Sequence, residues 1–157
     1  HAWIAANTNP DDVTGTLSEA MRGADVFLGV SAPDVITEAD VESMAPDSIV
    51  FAMANPVPEI DPDIAARHAA VVATGRSDFA NQINNVLVFP GVFRGLIDSG
   101  VSHVDMDVLL AAADALADVV RADERNATYI IPSVFHPDVS TVVADAVGAA
   151  VAAREGA

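Results

Sequence analysis

Three short apolar runs set what this chain can fold into. They are Ala24-Asp25-Val26-Phe27-Leu28-Gly29-Val30, Ser48-Ile49-Val50-Phe51-Ala52-Met53-Ala54 and Ala70-Val71-Val72-Ala73-Thr74. None alternates polar with apolar residues. A strand with one wet face alternates, because successive side chains point to opposite faces. Unbroken runs therefore predict strands covered on both faces, as in a parallel sheet. Helix-like segments separate them. Thr16 caps Leu17 to Arg22, with Gly23 as the stop. Thr37 caps Glu38 to Met44, with Asp40 completing an imperfect capping box. Pro62 sits in a first turn that continues from Ile64 to His68. Further helices are expected from near Asn81, with Ser77 a candidate cap, and over Val108 to Val120 and Val139 to Arg154. His1 to Ala6 reads as the tail of a helix.

That alternation predicts right-handed βαβ crossovers and an α/β fold. Three parallel strands make a partial Rossmann-like sheet, the second half of a doubly wound domain with C-terminal helices. Residues 1–157 are expected to form one partial domain, with strands within about 24–74 and a helical region over about 79–157.

Composition narrows the function. Hydrophobic residues make up 52% of the chain, enough for a packed core. Asp and Glu number 23 against 7 Arg and no Lys, a net charge of -16. Such a surface repels nucleic-acid phosphates and anionic membranes. The lack of Lys excludes a Schiff base, a P-loop lysine and a lysine acid from this chain. With no Cys there is no disulfide or thiolate chemistry. No apolar run reaches membrane-spanning length and no signal peptide opens the chain, so a cytoplasmic protein is expected.

In open α/β sheets, ligands bind beyond the carboxyl ends of the strands. The three runs feed Gly29-Val30-Ser31-Ala32-Pro33, Ala54-Asn55-Pro56-Val57-Pro58-Glu59 and Thr74-Gly75-Arg76-Ser77-Asp78-Phe79. Taken singly, the glycines ease turns and Asn55-Pro56 initiates one. Together they bring small and amide residues to one rim. Asn81-Gln82-Ile83-Asn84-Asn85 then puts four amides into five positions. A neutral amide donates and accepts, so it can orient a hydroxyl, a carboxylate or a carboxamide.

The blocks ADVFLGVSAPDVIT, IVFAMANPVPEI and VVATGRSDFANQINNVLVFPGVFRG together resemble the NAD-binding domain of malic enzymes, most closely the short prokaryotic form. The resemblance runs from about Gly15 to Val139 and continues more weakly beyond. It implies oxidative decarboxylation of malate to pyruvate and CO2 with NAD or NADP and a divalent cation, Mg2+ or Mn2+. It implies that Asn55, and Asn84 or Asn85, line the substrate and nicotinamide pocket. The loop Gly29, Val30 and Ser31 would border the dinucleotide, with Gly75 and Arg76 in support. Val57 stands where the family often has Thr, Val88 where it often has Gly, Asp34 for a frequent Gly and His136 for a frequent Asp. The family's catalytic Tyr and Lys, its metal carboxylates and its glycine-rich fingerprint lie upstream of the matching region. No catalytic residue and no metal ligand is therefore expected in this chain, and Tyr129, its only Tyr, takes no such role. The implied partners are malate or pyruvate, the missing N-terminal part of the enzyme and further copies in a homo-oligomer.

Other residues carry plainer expectations. His1, His68, His103 and His136 show no metal spacing and read as surface or loop residues. Glu59, Asp61 and Asp63 read as a helix-dipole cluster, and Asp105 and Asp107 also precede a helix. Arg94 suits an ion pair, and Asp78 either a brace for Arg76 or a helix cap. Two other functions stay open: a noncatalytic nucleotide-binding or interaction module, and a malolactic-type enzyme on the same scaffold.

Overall fold

The structure, a computed structural model, describes residues 2–155. His1, read above as a surface residue, lies outside them. The chain divides into two compact units, His1–Gly75 and Arg76–Ala157.

The first unit runs α1 (Ala2–Asn7), α2 (Leu17–Met21), β1 (Val26–Gly29), α3 (Glu38–Glu42), β2 (Ile49–Ala52), α4 (Pro62–Ala65) and β3 (Val71–Thr74). All three strands are parallel, in the order β1-β2-β3. The expected caps are in place. Thr16 accepts from the Glu19 amide at 3.2 Å, while the Glu19 carboxylate accepts from the Thr16 amide at 2.7 Å. Thr37 and Asp40 close the same reciprocal box at 3.3 and 2.7 Å, so the shorter acid suffices. A hydrogen bond from Ser18, ahead of those from Thr37, holds the Asp40 carboxyl below its ordinary range although burial opposes this. Asp61 caps α4 by accepting from the Asp63 amide at 2.9 Å.

The sheet is covered unequally. Phe27, Val50 and Val72 share one register row. Val50 and Ala52 are fully buried against Met21, Ile36, Val41 and Met44. On the opposite face of β1, Val26 and Leu28 are 53% and 59% exposed. The expectation of two covered faces therefore fails at β1. The buried residues of α2, α3 and α4 gather on the Val50 face, which leaves Val26 and Leu28 without cover from this unit.

The second unit holds a 3-10 turn (Asn85–Leu87), then α5 (Phe89–Asp98), α6 (Met106–Asp118) and α7 (Val139–Glu155). No helix starts at Asn81, contrary to the sequence expectation, and Ser77 caps none. Asn81 has φ +54°, a left-handed conformation that interrupts a right-handed helix. Val139, Val143, Val147 and Val151 recur every four residues on α7 and are all buried. They pack with Leu87, Val92 and Leu96 and with Val108 and Ala112 of α6. Valine is a modest helix former, so the buried valine row stabilises α7 through packing, while its alanines supply helix propensity. Burying each such side chain stabilises by about 1.5–3 kcal/mol. Asp105 caps α6 by accepting from the Val108 amide at 3.0 Å and pairs with Arg154 of α7. Those two contacts, the amide first, hold its carboxyl below the ordinary range.

Two glycines allow the approach of α5 to α7. A Cβ at Gly91 would lie 2.6 Å from Val143 Cβ, and one at Gly95 would lie 2.7 Å from both the Ala144 carbonyl oxygen and Val147 Cβ. Backbone and β-branched carbons cannot swing aside. Gly148, by contrast, has only Ser99 Oγ nearby, at 3.7 Å. Gly95→Ala is expected to lower unfolding free energy by about 1–3 kcal/mol through overpacking. Gly148→Ala is expected to raise it by about 0.4–1 kcal/mol through a stiffer unfolded chain. Denaturant titration of the two variants measures both signs.

Candidate functional site

Strand register builds one rim of the site in the first unit. Gly29, Ala52 and Thr74 end their strands level with one another. The residues singled out from sequence, Gly29-Val30-Ser31, Asn55 and Gly75, follow directly at that edge. Val30 is 73% exposed. Asn55 is exposed, precedes a cis bond to Pro56, and its side chain has no hydrogen-bond partner among the described residues. Its amide is free to meet a ligand.

Beneath the rim lies a residue whose role the sequence reading missed. Glu59 is not a helix-dipole acid: it is 0% exposed. Its Oε1 accepts from the Ser31 amide at 2.9 Å and faces the Ser31 hydroxyl at 3.4 Å. Its Oε2 accepts from the Ala54 amide at 3.0 Å. The Glu59 backbone carbonyl takes the Ile36 amide at 3.2 Å, and Pro58 takes that of Asp34 at 3.1 Å. The loop after β1 is thus hydrogen-bonded along its length to the segment after β2. Gly29 leaves room for this, since a Cβ there would lie 2.5 Å from the Glu59 carboxyl carbon. The acid of Asn-Pro-Val-Pro-Glu, set between Pro58 and Ile60 rather than in a charged run, was the available signal. Asp34 has φ +56°, which accounts physically for glycine being frequent at such a position.

In the second unit the amide cluster separates into different jobs. Asn81 is buried, donates to the Ala127 carbonyl at 2.8 Å and accepts from the Ile130 amide at 2.9 Å. It pins the connection between α6 and α7. Asn84 caps the 3-10 turn, its Oδ1 accepting from the Val86 amide at 3.1 Å. Its Nδ2 is left as a donor. Asn85 is exposed and its side chain has no hydrogen-bond partner among the described residues. Both stand before α5 rather than inside an α-helix.

Arg76 forms a two-point pair with Asp78, at 2.9 and 2.5 Å, and lies 4.8 Å over the Phe79 ring. Its hydrogen bond holds the Asp78 carboxyl below the ordinary range. Asp78 thereby braces Arg76, one of the two roles its sequence setting offered. Arg94 pairs with Asp98 one turn on. Among the described residues no three His, Asp or Glu side chains converge as a metal site.

A parallel sheet whose glycine- and amide-bearing loops collect at the carboxyl ends of its strands is the architecture of a Rossmann-like nucleotide-binding domain. A sequence profile for the malic enzyme NAD binding domain matches residues 5–152, and the chain belongs to that family. It is 57% identical over 140 residues to the NAD-dependent malic enzyme of Geobacillus stearothermophilus, across 89% of this chain and 29% of that enzyme. It is 49% identical over 148 residues to the bifunctional malic/malolactic enzyme of Bacillus subtilis strain 168, across 94% and 36%. The solved malic enzyme from Pyrococcus horikoshii Ot3 matches with a TM-score of 0.89 at 42% identity, across 98% of this chain and 36% of that one. The chain spans roughly a third of the length of these relatives.

The amides predict opposite mutational behaviour. Asn81→Ala removes two hydrogen bonds that a buried side chain makes to the backbone of Ala127 and Ile130, and is expected to cost about 1–3 kcal/mol of stability. Asn85→Ala is expected to stay within about 0.5 kcal/mol. Thermal unfolding of both variants separates the structural amide from the free one.

Proposed function

We propose that the whole enzyme containing this chain oxidises and decarboxylates malate to pyruvate and CO2 with NAD or NADP. The observation that carries this reading is the match to the malic enzyme NAD-binding domain, and each unit taken by itself adds an exposed, unpartnered amide, Asn55 in the first and Asn85 in the second. Each has both a donor and an acceptor to offer a carboxylate, a hydroxyl or the nicotinamide carboxamide. Neither adds charge that would repel a dianionic acid. Asn84, with only Nδ2 left over, suits a carboxylate oxygen. In this reading Gly29, Val30 and Ser31 border the dinucleotide, Gly75 lets the third loop pass close to it, and Asn55 and Asn85 contact both substrate and cofactor.

The bound dinucleotide supplies the hydride acceptor, and a divalent cation, Mg2+ or Mn2+, the Lewis acid for loss of CO2. Among the described residues no cluster of three His, Asp or Glu offers to hold the metal, and in this reading its ligands and the acid-base pair come from the rest of the enzyme. Work for this chain is orientation: fixed amides hold the substrate without reorganising during the reaction. We further propose a cytoplasmic homo-oligomer with no nucleic-acid or membrane partner. The charge of -16 is consistent with that, and among the described residues no helix is long and apolar enough to cross a membrane.

A second reading has one observation in its favour: a relative 49% identical is a bifunctional malic/malolactic enzyme. Product analysis separates lactate from pyruvate. A noncatalytic nucleotide-binding or interaction module is the third, and tight NAD binding by the isolated 157-residue chain would favour it.

In the whole enzyme, Asn55→Ala and Asn85→Ala are each expected to lower kcat/KM for malate about 10- to 100-fold, the effect of one lost polar contact to the reacting molecule. The isolated chain is expected to release no CO2 from malate. Steady-state assays with NAD and NADP check both, and turnover by the isolated chain would contradict the reading.

A further inference from the structure

Glu59 is a fully buried ionisable side chain that the proposed function does not use. Among the described residues it has no Arg or His ion-pair partner. Every hydrogen bond it receives comes from the loops that leave β1 and β2. A carboxylate without a cation is expensive to bury unless donors surround it. The division of donors explains why an acid stands here. Oε1 serves Ser31, and Oε2 serves Ala54, the residue before Asn55. A side chain holding both amides needs two acceptor oxygens at that spacing. Glutamine offers one oxygen and turns an N–H toward the other amide, donor against donor. Aspartate falls short by one methylene.

We propose that Glu59 is a positioning residue for the reaction: its buried carboxylate locks the Ser31 loop to the backbone beside Asn55, so that cofactor and substrate contacts keep one geometry. This rests on the reading given under Proposed function. Gly29 belongs to the same device, because any Cβ there would push the carboxyl off both loops.

The test uses the whole enzyme with Glu59→Gln, Glu59→Asp and a control, Val50→Ala, which damages the same unit's core away from the rim. Dinucleotide Kd comes from calorimetric titration, KM for malate from initial rates, and Tm from thermal unfolding. Loss of one loop anchor is expected to weaken dinucleotide binding or raise KM for malate by about 10-fold, the scale of one unsatisfied buried amide. Val50→Ala is expected to lower Tm with both constants within about twofold of wild type, as for a core truncation remote from ligand. If Glu59→Gln does not fold, Glu59→Asp carries the same comparison. The proposal is overturned if the Glu59 variants lower Tm and leave Kd and KM unchanged, as a purely structural acid would. Failure of the functional reading looks different: wild type would not turn over malate at all, and the effect of Glu59 on dinucleotide Kd would still decide the proposal.

Discussion

One carboxylate, fully buried beneath the sheet rim, ties together the loops that leave β1 and β2 in the first unit. Glu59 reaches Ser31 across 28 residues of sequence and Ala54 across five. Parallel strands have no hairpins to tie their ends together, and each loop leaves the sheet on its own. Without a common acceptor, the loops after β1 and β2 would be joined at the rim only by backbone bonds such as that from Met53 to Gly29, at 3.1 Å. The acid replaces that slack with two short bonds from separate oxygens. Because ordered loops position ligands, an interaction that looks structural sits next to the proposed ligand rim.

The second unit solves a different problem, the close packing of slender helices. Only one aromatic pair, Phe89 and Phe93, is found among the described residues. Small residues and valines do the packing instead. Glycines on α5 admit a row of valines from α7, and Asn81 fastens the chain that leads from α6 toward α7. Asn81 thus sits in surroundings unlike those of Asn84 and Asn85, and of these three only Asn85 has its whole amide to spare.

Much of the fold was legible because it is local. A Thr followed three residues later by an acid, ahead of a helix-forming stretch, reads as a cap, and Thr16 and Thr37 both act so. Unbroken Val and Ala runs marked the strands and their parallel pairing. The start of α5 was not legible, because the backbone of Asn81 is set by partners 46 and 49 residues away. Glu59 was misread for a similar reason: an acid near a helix start ordinarily serves the dipole, and only its distant donors reveal otherwise. The glycine spacing in Phe-Pro-Gly-Val-Phe-Arg-Gly was visible, yet it acquires meaning only once α7 is known to lie against it. For the candidate site, sequence nominated the residues, and the structure separated free amides from occupied ones.

The most direct measurement is a crystal structure of the whole enzyme with dinucleotide and a non-reacting diacid analogue of malate. The account predicts Ser31 and Ala54 amides both on Glu59, with the Asn55 and Asn85 side chains each within hydrogen-bond reach of the diacid or the nicotinamide carboxamide. A structure in which Glu59 faces solvent, or in which either amide points away from both ligands, would contradict it.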